Sequence, residues 1–239
     1  MKINTPVSVV INVYNESETI ESEIRNIHDL IVSKIPGSEF IVAEDGSNDG
    51  TKEIISLLVK ELGIIHSTSE ERKGYKKALK DAFLITKNPL IFFSDTGNKH
   101  DPSEFWDMYE YSKEFDIVIG VKTNRQDQYY RRLLTLGYNY LISALFKTKV
   151  QDADSGFRIY KKDLITKLLE KQWTFDELIS SELTLRSILE GFKLKEIPVS
   201  YKQRASESRG LPLKKIPRVI FNNIFDLISL SKEYKDSIH

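Results

Sequence analysis

Small clusters of polar residues follow several short apolar runs in this chain. In an open parallel sheet, ligands bind outside the carboxyl ends of the strands, where such clusters stand. Asp45 is suited to accept hydrogen bonds from a nucleobase or a ribose, Gly46 allows the backbone to approach a ligand closely, and Lys73 near a helix N-terminus favours phosphate. Taken alone, the segment "EDGSNDGT" is explained equally well as a loop that caps a helix. The clusters that together predict a binding rim are 15–16, 45–47, 72–74 and Asp95.

The elements that position these clusters alternate between strand and helix. "VSVVINVY" is a β-branched run of the strand type, and Ile20, Ile24 and Ile27 follow it at helical spacing. The same order of apolar run, turn and amphipathic segment recurs in the units that begin at "EFIVAE", "GIIHST" and "PLIFFS". Continuous apolar runs linked by helices are typical of parallel strands buried on both faces. The pattern predicts a doubly wound, mostly parallel α/β sheet.

The regular alternation ends after a fifth strand, "FDIVIGVK". Beyond it the sequence predicts a long helix, a short strand in "DADSGFRIY", a helix closed by Gly191 and a last strand in "KLKEIPVSY". A charged link then leads to an amphipathic helix over roughly 212–236. We therefore expect one catalytic-type domain over residues 1–205, followed by a linker and a C-terminal helical extension over residues 206–239.

The bulk composition excludes several classes of protein and site. A chain of 239 residues with 40% hydrophobic content can bury a core as one large domain. Lys plus Arg and Asp plus Glu both total 35, so no overall field attracts nucleic acid. The absence of cysteine excludes disulfides, thiolate zinc sites and a cysteine nucleophile. Because we find no signal-peptide core and no apolar run of membrane-spanning length, we expect a cytoplasmic protein that does not bind nucleic acid.

The order of the motifs resembles that of a known enzyme family. Family 2 glycosyltransferases with the GT-A fold, and among them the dolichyl-phosphate mannose synthase-like branch, carry successive motifs similar to "VINVYNES", "EDGSNDGT", "SDTGNKHDP", "GVKTNRQDQYYRR" and "DADSGFRIY". The similarity extends from Val7 to Arg204. It implies inverting transfer of a sugar from a nucleotide-diphosphate sugar, UDP- or GDP-linked, usually with Mg²⁺ or Mn²⁺ at the diphosphate.

The resemblance also implies which residues contact the donor. It places Tyr14, Glu16 and Asp45 around the nucleoside, and Lys73 near the diphosphate or its ribose. Arg204, after the last strand, is a further candidate for binding phosphate oxygens. The full set expected at the donor is Tyr14, Glu16, Asp45, Gly46, Ser47, Lys73, Gly74, Asp95, Lys99 and Arg204.

The segment "IFFSDTGNKHDP" departs from the family's metal-binding motif. Asp95 matches the first acid of the Asp-x-Asp motif, but Gly97 stands at the position of the second acid, and Lys99 stands where relatives often carry Gln. One alternative is that Asp95 and the diphosphate hold the metal, since Mg²⁺ is bound by one or two carboxylates plus substrate phosphates. The other is that Lys99 supplies the positive charge, because losing one acid and gaining one base adds about two charge units.

The acceptor side is predicted from the second half of the chain. The resemblance implies that Arg125 and Arg131 lie on the acceptor side, where a polyprenyl phosphate docks, and each could bind phosphate oxygens and stabilise charge at the reacting phosphates; the alternative is a solvated helix face. Asp154 and Glu182 are the candidates for a general base, which a sugar hydroxyl needs and an ionised phosphate does not. Each acid has a structural alternative, Asp154 as a cap of the following turn and Glu182 as part of a capped helix start.

Two questions stay open from the sequence. The preferred acceptor is a dolichyl or undecaprenyl phosphate, and the alternatives are a sugar hydroxyl of a cell-surface glycan or a catalytically weak nucleotide-sugar-binding module. The C-terminal helix carries Lys214, Lys215 and Arg218 near its start and a broad apolar stripe. That composition fits docking on its own domain, pairing in a homo-oligomer, or peripheral contact with the inner face of a membrane.

Overall fold

The structure, a computed structural model, describes residues 5–123, 129–202 and 216–238, and the side chains of all of these except 129–132, 216 and 236–238. Within this part of the chain a single seven-stranded sheet forms the centre of the molecule. Its strands are β1 (Val7–Val13), β2 (Glu39–Glu44), β3 (Ile65–Ser67), β4 (Leu90–Asp95), β5 (Ile117–Lys122), β6 (Phe157–Lys161) and β7 (Leu194–Val199).

Helices connect most of the strands, and two short 3-10 turns lie at Val32–Lys34 and Pro102–Glu104. The short helix α6 was not predicted from the sequence, whereas the other helices match predicted segments. The C-terminal helix is described from residue 216 rather than from 212. The helices are α1 (Ile20–Leu30), α2 (Thr51–Leu62), α3 (Tyr75–Ile85), α4 (Phe105–Tyr111), α5 (Tyr129–Phe146), α6 (Lys162–Leu169), α7 (Ile179–Leu189) and α8 (Ile216–Ile238).

The sheet has the order β3-β2-β1-β4-β6-β5-β7. β1, β2, β3 and β4 pair in parallel, as do β5 and β7, and only β6, between β4 and β5, runs in the opposite direction. The predicted, mostly parallel α/β sheet is therefore confirmed. Because the parallel strands all end on one edge and β6 begins there, the loops at that edge converge.

Apolar side chains of the strands alternate between the two faces of the sheet. Val9 and Ile11 pack with α1 and α2 in one cluster, whereas Val10 packs on the opposite face with α3, α6 and α7. Strands with two buried faces explain the continuous apolar runs in the sequence. The sheet is thus covered by helices on both sides, which gives the loops at its edge a rigid base.

The C-terminal helix α8 docks on the second of these clusters. Leu227 and Leu230 are buried in it, and Glu233 Oε1 accepts a hydrogen bond from Arg186 of α7 at 2.8 Å. Docking on its own domain was one of three expectations for this helix, and it is confirmed for the face that carries Leu227 and Leu230. The boundary between residues 205 and 206 stays a prediction, since 203–215 lie outside the described residues. No helix in the described part of the chain is both long enough and apolar enough to cross a bilayer.

Candidate active site

The carboxyl ends of the parallel strands bring the predicted clusters to one edge of the sheet. β1 lies between β2 and β4, with Val13 opposite Glu44 and Asn12 opposite Asp95. Because β6 is antiparallel, the loop 152–156 that precedes it lies at the same edge. The predicted site residues that meet at this edge are Tyr14, Glu16, Asp45, Gly46, Ser47, Asp95, Lys99 and Asp154.

Asp45 organises the loop that enters α3. Its Oδ1 accepts hydrogen bonds from the amides of Lys73 and Gly74, at 2.8 and 2.9 Å. Gly46 has a φ of 73°, and a Cβ atom there would lie 2.5 Å from the amide nitrogen of Arg72. Only glycine therefore lets these two loops approach so closely. Asp45 and Gly46 hold the 72–74 loop against the end of β2, and direct contact of Asp45 with a nucleoside stays a prediction.

Arg72, rather than Lys73, faces the cluster after β1. The guanidinium carbon of Arg72 lies 4.1 Å from the centroid of the Tyr14 ring, and its Nε lies 3.7 Å from Asp45 Oδ2. Lys73 Nζ instead lies 2.7 Å from Asp81 Oδ2 on α3. Both residues belong to the predicted 72–74 cluster, in which Lys73 is the residue expected to contact the donor. The ammonium of Lys73 is held by Asp81 of the helix that follows it, so the stacked Arg72 is a further candidate, and the donor contact of Lys73 stays a prediction.

Glu16 and Ser47 join the loops that follow β1 and β2. The amide of Glu16 donates to Thr51 Oγ1 at 2.8 Å, and Ser47 Oγ accepts the amide of Asn15 at 2.9 Å. Asn15 has a φ of 53°, so the chain turns sharply after β1. Glu16 and Ser47 are both buried. Their visible role is to shape the rim, and their contacts with the donor stay predictions.

Asp95 ends β4 with its carboxylate in the cleft. Oδ1 accepts a hydrogen bond from the Tyr75 hydroxyl at 3.3 Å, and Oδ2 lies 4.0 Å from Lys99 Nζ. The backbone of Gly156 passes beside it, since the Asp95 amide donates to Gly156 O at 2.7 Å. Gly156 is not among the predicted site residues, because nothing in "DADSGFRIY" shows which residue lies against Asp95.

A buried acid supports the loop that follows Asp95. Glu23 of α1 accepts the amide of Gly97 on Oε2 at 2.9 Å and the amide of Asn98 on Oε1 at 3.4 Å. Burial raises the pKa of this carboxyl to about 7, although both amide hydrogen bonds favour its ionised form. Glu23 is not among the predicted site residues. The available signal was an acid on the apolar stripe of a predicted helix.

His100 packs beneath the same loop. Its ring stacks on Phe157, with centroids 4.8 Å apart and an interplanar angle of 23°, and it meets the edge of Tyr201 at 5.6 Å. Burial lowers the pKa of this imidazole to about 4. His100 is therefore neutral near pH 7 and packs as part of the loop's support.

Asp154 is the better supported of the two candidate bases. Its Oδ1 accepts hydrogen bonds from the amide and the hydroxyl of Ser181, at 3.3 and 3.4 Å. Burial raises the pKa of Asp154 to about 6, with a smaller rise from the carboxylates of Asp95 and Asp152 and an opposing effect of Lys122. A carboxyl whose pKa lies near the working pH is suited to accept a proton. This supports the assignment of Asp154 to the chemistry, which stays a prediction.

Glu182, the second candidate base, is engaged elsewhere. Its carboxylate accepts the amides of Thr174 and Phe175, both at 2.8 Å, and Arg186 Nε at 2.8 Å. The side chain is fully buried. These contacts tie the segment before α7 to that helix, as the structural alternative for Glu182 supposes. We therefore favour Asp154 over Glu182 as the acid that meets the substrates.

A buried arginine holds the loop that carries Asp154. Arg158 of β6 is fully buried, and its guanidinium donates to the carbonyl of Ser180 and to Thr184 Oγ1, both at 2.8 Å. It also donates to the carbonyl of Ala153. Arg158 is not among the predicted site residues, because the side chain of an arginine in a strand is usually exposed to solvent. Arg158 thus acts on Asp154 by fixing the backbone on which it stands.

A cavity of about 540 Å³ opens beside Asp154, between α5 and α8. Polar side chains form one end of it, where Lys122 Nζ lies 3.7 Å from Asp152 Oδ2. The site therefore joins a polar cleft to an apolar groove. The remaining lining is mostly aliphatic and includes Leu133, Leu134, Leu141, Leu178, Val219, Ile220 and Ile224.

Four predicted site residues remain to be located in the structure. Arg125 and Arg204 lie outside the described residues, and so does the side chain of Arg131, whose backbone belongs to α5. Gly74 precedes the first turn of α3 with a φ of 91°, which a residue with a side chain rarely adopts. The roles of the three arginines stay predictions, and Gly74 is placed at the rim as expected.

Comparison with known proteins agrees with this arrangement. Residues 8–169 match the model of the family described as Glycosyl transferase family 2. A dolichyl-phosphate hexose transferase of Haloferax volcanii is 28% identical over 207 residues, which are 84% of this chain and 85% of that protein. An undecaprenyl-phosphate 4-deoxy-4-formamido-L-arabinose transferase of Edwardsiella ictaluri is 25% identical over 228 residues, which are 93% of this chain and 67% of that protein.

A solved structure shares the fold. Glucosyl-3-phosphoglycerate synthase from Mycobacterium tuberculosis, in complex with Mn²⁺, uridine diphosphate and phosphoglyceric acid, matches with a TM-score of 0.75 at 20% identity, over 95% of this chain and 78% of that chain. The predicted GT-A fold is thereby confirmed. The names of the two relatives support the predicted dolichyl-phosphate mannose synthase-like branch. The chain belongs to glycosyl transferase family 2 and is a glycosyltransferase.

Proposed function

We propose that this glycosyltransferase moves a sugar from a nucleotide-diphosphate sugar to a polyprenyl phosphate, with inversion at the anomeric carbon. The cavity between α5 and α8 carries the proposal, because it is aliphatic along most of its length and ends at Lys122 and Asp154 beside the donor cleft. An isoprenoid chain matches the apolar part, and a phosphate matches the cation at its end. The two relatives named as dolichyl-phosphate and undecaprenyl-phosphate transferases support the same class of acceptor.

The donor cleft supports a nucleotide-diphosphate sugar. The stacked Tyr14 and Arg72 offer a flat surface for a base, and the cation of Lys99 lies farther along the rim beside Asp95. In this proposal the nucleoside lies at Tyr14 and the diphosphate extends toward Asp95. The bound uridine diphosphate of the solved relative supports a uridine-linked donor among the alternatives.

Transfer to a phosphate requires one bond to form and one to break. An acceptor phosphate oxygen bonds to the anomeric carbon, the bond from that carbon to the donor β-phosphate oxygen breaks, and its electron pair leaves with the nucleoside diphosphate. The acceptor is already ionised, so no proton has to be removed. Lys122 then holds the acceptor phosphate, and Asp154 orients the sugar by accepting hydrogen bonds from its hydroxyls.

A sugar hydroxyl is the second candidate acceptor, and the pKa of Asp154 favours it. Burial raises this pKa to about 6, so the carboxylate is ionised at neutral pH yet basic enough to take a proton from a hydroxyl. In this alternative Asp154 is the general base, and the apolar cavity has no assigned ligand. The cavity therefore supports the lipid phosphate over the hydroxyl.

The surface beside the cavity is also apolar. Phe221 and Phe225 of α8 are 71% and 63% exposed, and Leu136 and Tyr140 of α5 are 65% and 74% exposed. A bilayer surface is the occupant that suits these side chains, because the proposed acceptor is a lipid and the same two helices line its cavity. We therefore propose peripheral contact with a membrane through α5 and α8.

Transfer into vesicles tests the proposal. The full chain is incubated with UDP-linked and GDP-linked sugars and with phosphatidylcholine vesicles that contain undecaprenyl phosphate. Vesicles that contain undecaprenol, which lacks the phosphate, are the matched control. The expected result is a lipid-linked sugar from the phosphate alone. A parallel reaction offers soluble oligosaccharides in place of the lipid. Product formed only there would favour the hydroxyl acceptor, and nucleotide binding without any product would favour a binding module.

A further inference from the structure

The loop after Asp95 does not fit a divalent cation. Gly97 stands where the family's motif has its second acid, and its φ of 98° is a backbone conformation that side-chain-bearing residues rarely adopt. The amide of Gly97 is bonded to Glu23 Oε2 at 2.9 Å, which holds the loop in that conformation. An aspartate at this position would therefore be strained as well as absent from the sequence.

Other acids do not replace the missing ligand. Both carboxylate oxygens of Glu23 accept amide hydrogen bonds, from Gly97 and from Asn98, and the residue is only 4% exposed. Across the described ranges, no three His, Cys, Asp or Glu side chains form a group that could hold a metal ion. Asp95 is thus left as a single carboxylate facing the cleft, and a metal ion there would take all of its other ligands from the substrate phosphates and from water.

A lysine lies beside Asp95 instead. Lys99 Nζ is 4.0 Å from Asp95 Oδ2, and each of the two side chains is 29% exposed. The carbonyl of Lys99 accepts the amide of Lys202 at 2.8 Å, so its backbone is tied to the segment that follows β7. The ammonium is therefore positioned by the fold and still reachable by a ligand in the cleft.

The family's metal site and the pair of Asp95 with Lys99 have the same net charge. Two carboxylates with one divalent cation have a net charge of zero, and so does Asp95 with Lys99. A diphosphate that enters the cleft therefore meets the same total charge in both cases. In this chain the positive charge is on the Lys99 ammonium, which has three hydrogen-bond donors, rather than on a metal ion. Lysine is a common phosphate ligand that acts as a point charge.

We infer that Lys99 takes the place of a divalent cation at the donor diphosphate, an inference that rests on the proposed nucleotide-diphosphate-sugar donor. The ammonium donates hydrogen bonds to the phosphate oxygens. When the bond between the anomeric carbon and the β-phosphate oxygen breaks, the electron pair goes to that oxygen, and Lys99 stabilises the charge that develops there. The step needs no further reactant, and donor binding does not depend on added metal.

Calorimetric titration of uridine and guanosine diphosphates into the full chain tests the inference. Each nucleotide is measured in EDTA and in excess Mn²⁺. We expect the preferred nucleotide to bind in EDTA within about twofold of its affinity in Mn²⁺, and Lys99→Gln to weaken binding in EDTA by about 10- to 100-fold, the loss of a charged hydrogen bond. Lys113→Gln, which removes an exposed lysine paired with Glu110, is the matched control and should bind as the wild type does.

Affinity that is at least about tenfold weaker in EDTA than in Mn²⁺ would overturn the inference, as would wild-type affinity of Lys99→Gln in EDTA. The wild-type comparison needs no variant, so it decides the question even where Lys99→Gln fails to fold. The titrations contain no acceptor. A metal requirement for nucleotide binding would therefore overturn the role of Lys99 and leave the proposed transfer standing. Metal-free binding without transfer to a polyprenyl phosphate would support the role of Lys99 and overturn the proposed transfer.

Discussion

A Cβ atom on Gly156 would lie 2.1 Å from the carboxyl carbon of Asp95. The two residues stand at the adjoining ends of β6 and β4, where the Asp95 amide also donates to Gly156 O at 2.7 Å. Contacts this short do not occur between real side chains. The absence of a side chain at position 156 therefore defines the space in which the Asp95 carboxylate lies.

Gly156→Ala should displace the Asp95 carboxylate and weaken nucleotide binding. We expect a loss of about tenfold in affinity together with a decrease of about 1–3 kcal/mol in the free energy of unfolding, the usual effect of overpacking. Calorimetry and urea unfolding measure the two effects. Gly137→Ala on α5 is the matched control, since a Cβ there meets nothing within 4 Å. Equal affinities for the two variants would show that Asp95 does not need this position.

Arg72→Ala should cost more nucleotide affinity than Lys73→Ala. Arg72 stacks on Tyr14 at 4.1 Å from the ring centroid, whereas the Lys73 ammonium is bonded to Asp81. Losing a stacked cation costs about 0.5–2 kcal/mol of binding free energy, which corresponds to a roughly 2- to 30-fold loss of affinity. Calorimetric titration of each variant measures the difference. A larger loss for Lys73→Ala would confirm the donor contact predicted for Lys73 from the sequence.

The fold could be predicted from the sequence because its signals are local. Apolar runs of strand length, followed by helical spacing, recur from Val7 onward and are sufficient to predict a parallel sheet. The antiparallel direction of β6 was not predicted, since a strand of five residues carries no signal of its direction. Helix α6 was missed because it follows β6 directly, without a turn to separate the two.

The candidate site was predictable to the level of loops rather than of side chains. Topology alone places Asp45, Asp95 and Asp154 at one edge, because each borders a strand end at that edge. Which neighbour turns toward Tyr14 depends on packing, and no local pattern shows that Arg72 rather than Lys73 stacks on it. Glu23 was missed for a related reason, since its partners are the amides of a loop more than 70 residues away.

Glu23→Gln should remove a pH dependence of stability. The pKa of Glu23 is raised from 4.5 to about 7 by burial. Between these values the folded protein keeps a proton that the unfolded chain has lost, so the free energy of unfolding falls as the pH rises from about 4.5 to about 7 and then levels off. The fall amounts to at most about 3 kcal/mol. Glutamine does not ionise, and its carbonyl oxygen still accepts an amide hydrogen bond.

Urea unfolding across this pH range measures the effect. The curve of Glu23→Gln should be flatter than that of the wild type and should cross it as the pH rises. Glu53→Gln is the matched control, because Glu53 is an exposed acid on α2 and its replacement should leave the slope unchanged. Parallel curves for the wild type and Glu23→Gln would show that Glu23 titrates as an ordinary surface acid.

Asp154→Asn should preserve the pH profile of transfer to a polyprenyl phosphate. The pKa of Asp154 is raised to about 6, which coincides with the second ionisation of a phosphate monoester at about 6. If no base is needed, the rise in rate near this pH belongs to the acceptor and persists in the variant, with at most about a tenfold lower rate. Initial rates measured against pH decide the matter. Disappearance of the rise, with a loss of about 10²–10⁴ in rate, would make Asp154 the general base.

Replacing Phe221 and Phe225 together by serine should release the chain from vesicles. Both side chains are mostly exposed on α8, whereas Leu227 and Leu230 on the same helix are buried in the core. Burial of one such aromatic side chain contributes about 1.5–3 kcal/mol, so loss of two should weaken vesicle binding by about 100-fold or more. Co-sedimentation with vesicles measures binding, and nucleotide titration should give an unchanged affinity.

Leu57→Ser supplies the matched control for this surface. Leu57 is 68% exposed, but α2 packs on the other face of the sheet from α8. Its replacement should leave vesicle binding unchanged if contact with the bilayer is made through α8. The double variant of Phe221 and Phe225 also tests the remaining expectation for α8, which is pairing in a homo-oligomer. A change from dimer to monomer in light scattering, with vesicle binding unaffected, would identify the exposed face of α8 as a subunit interface instead.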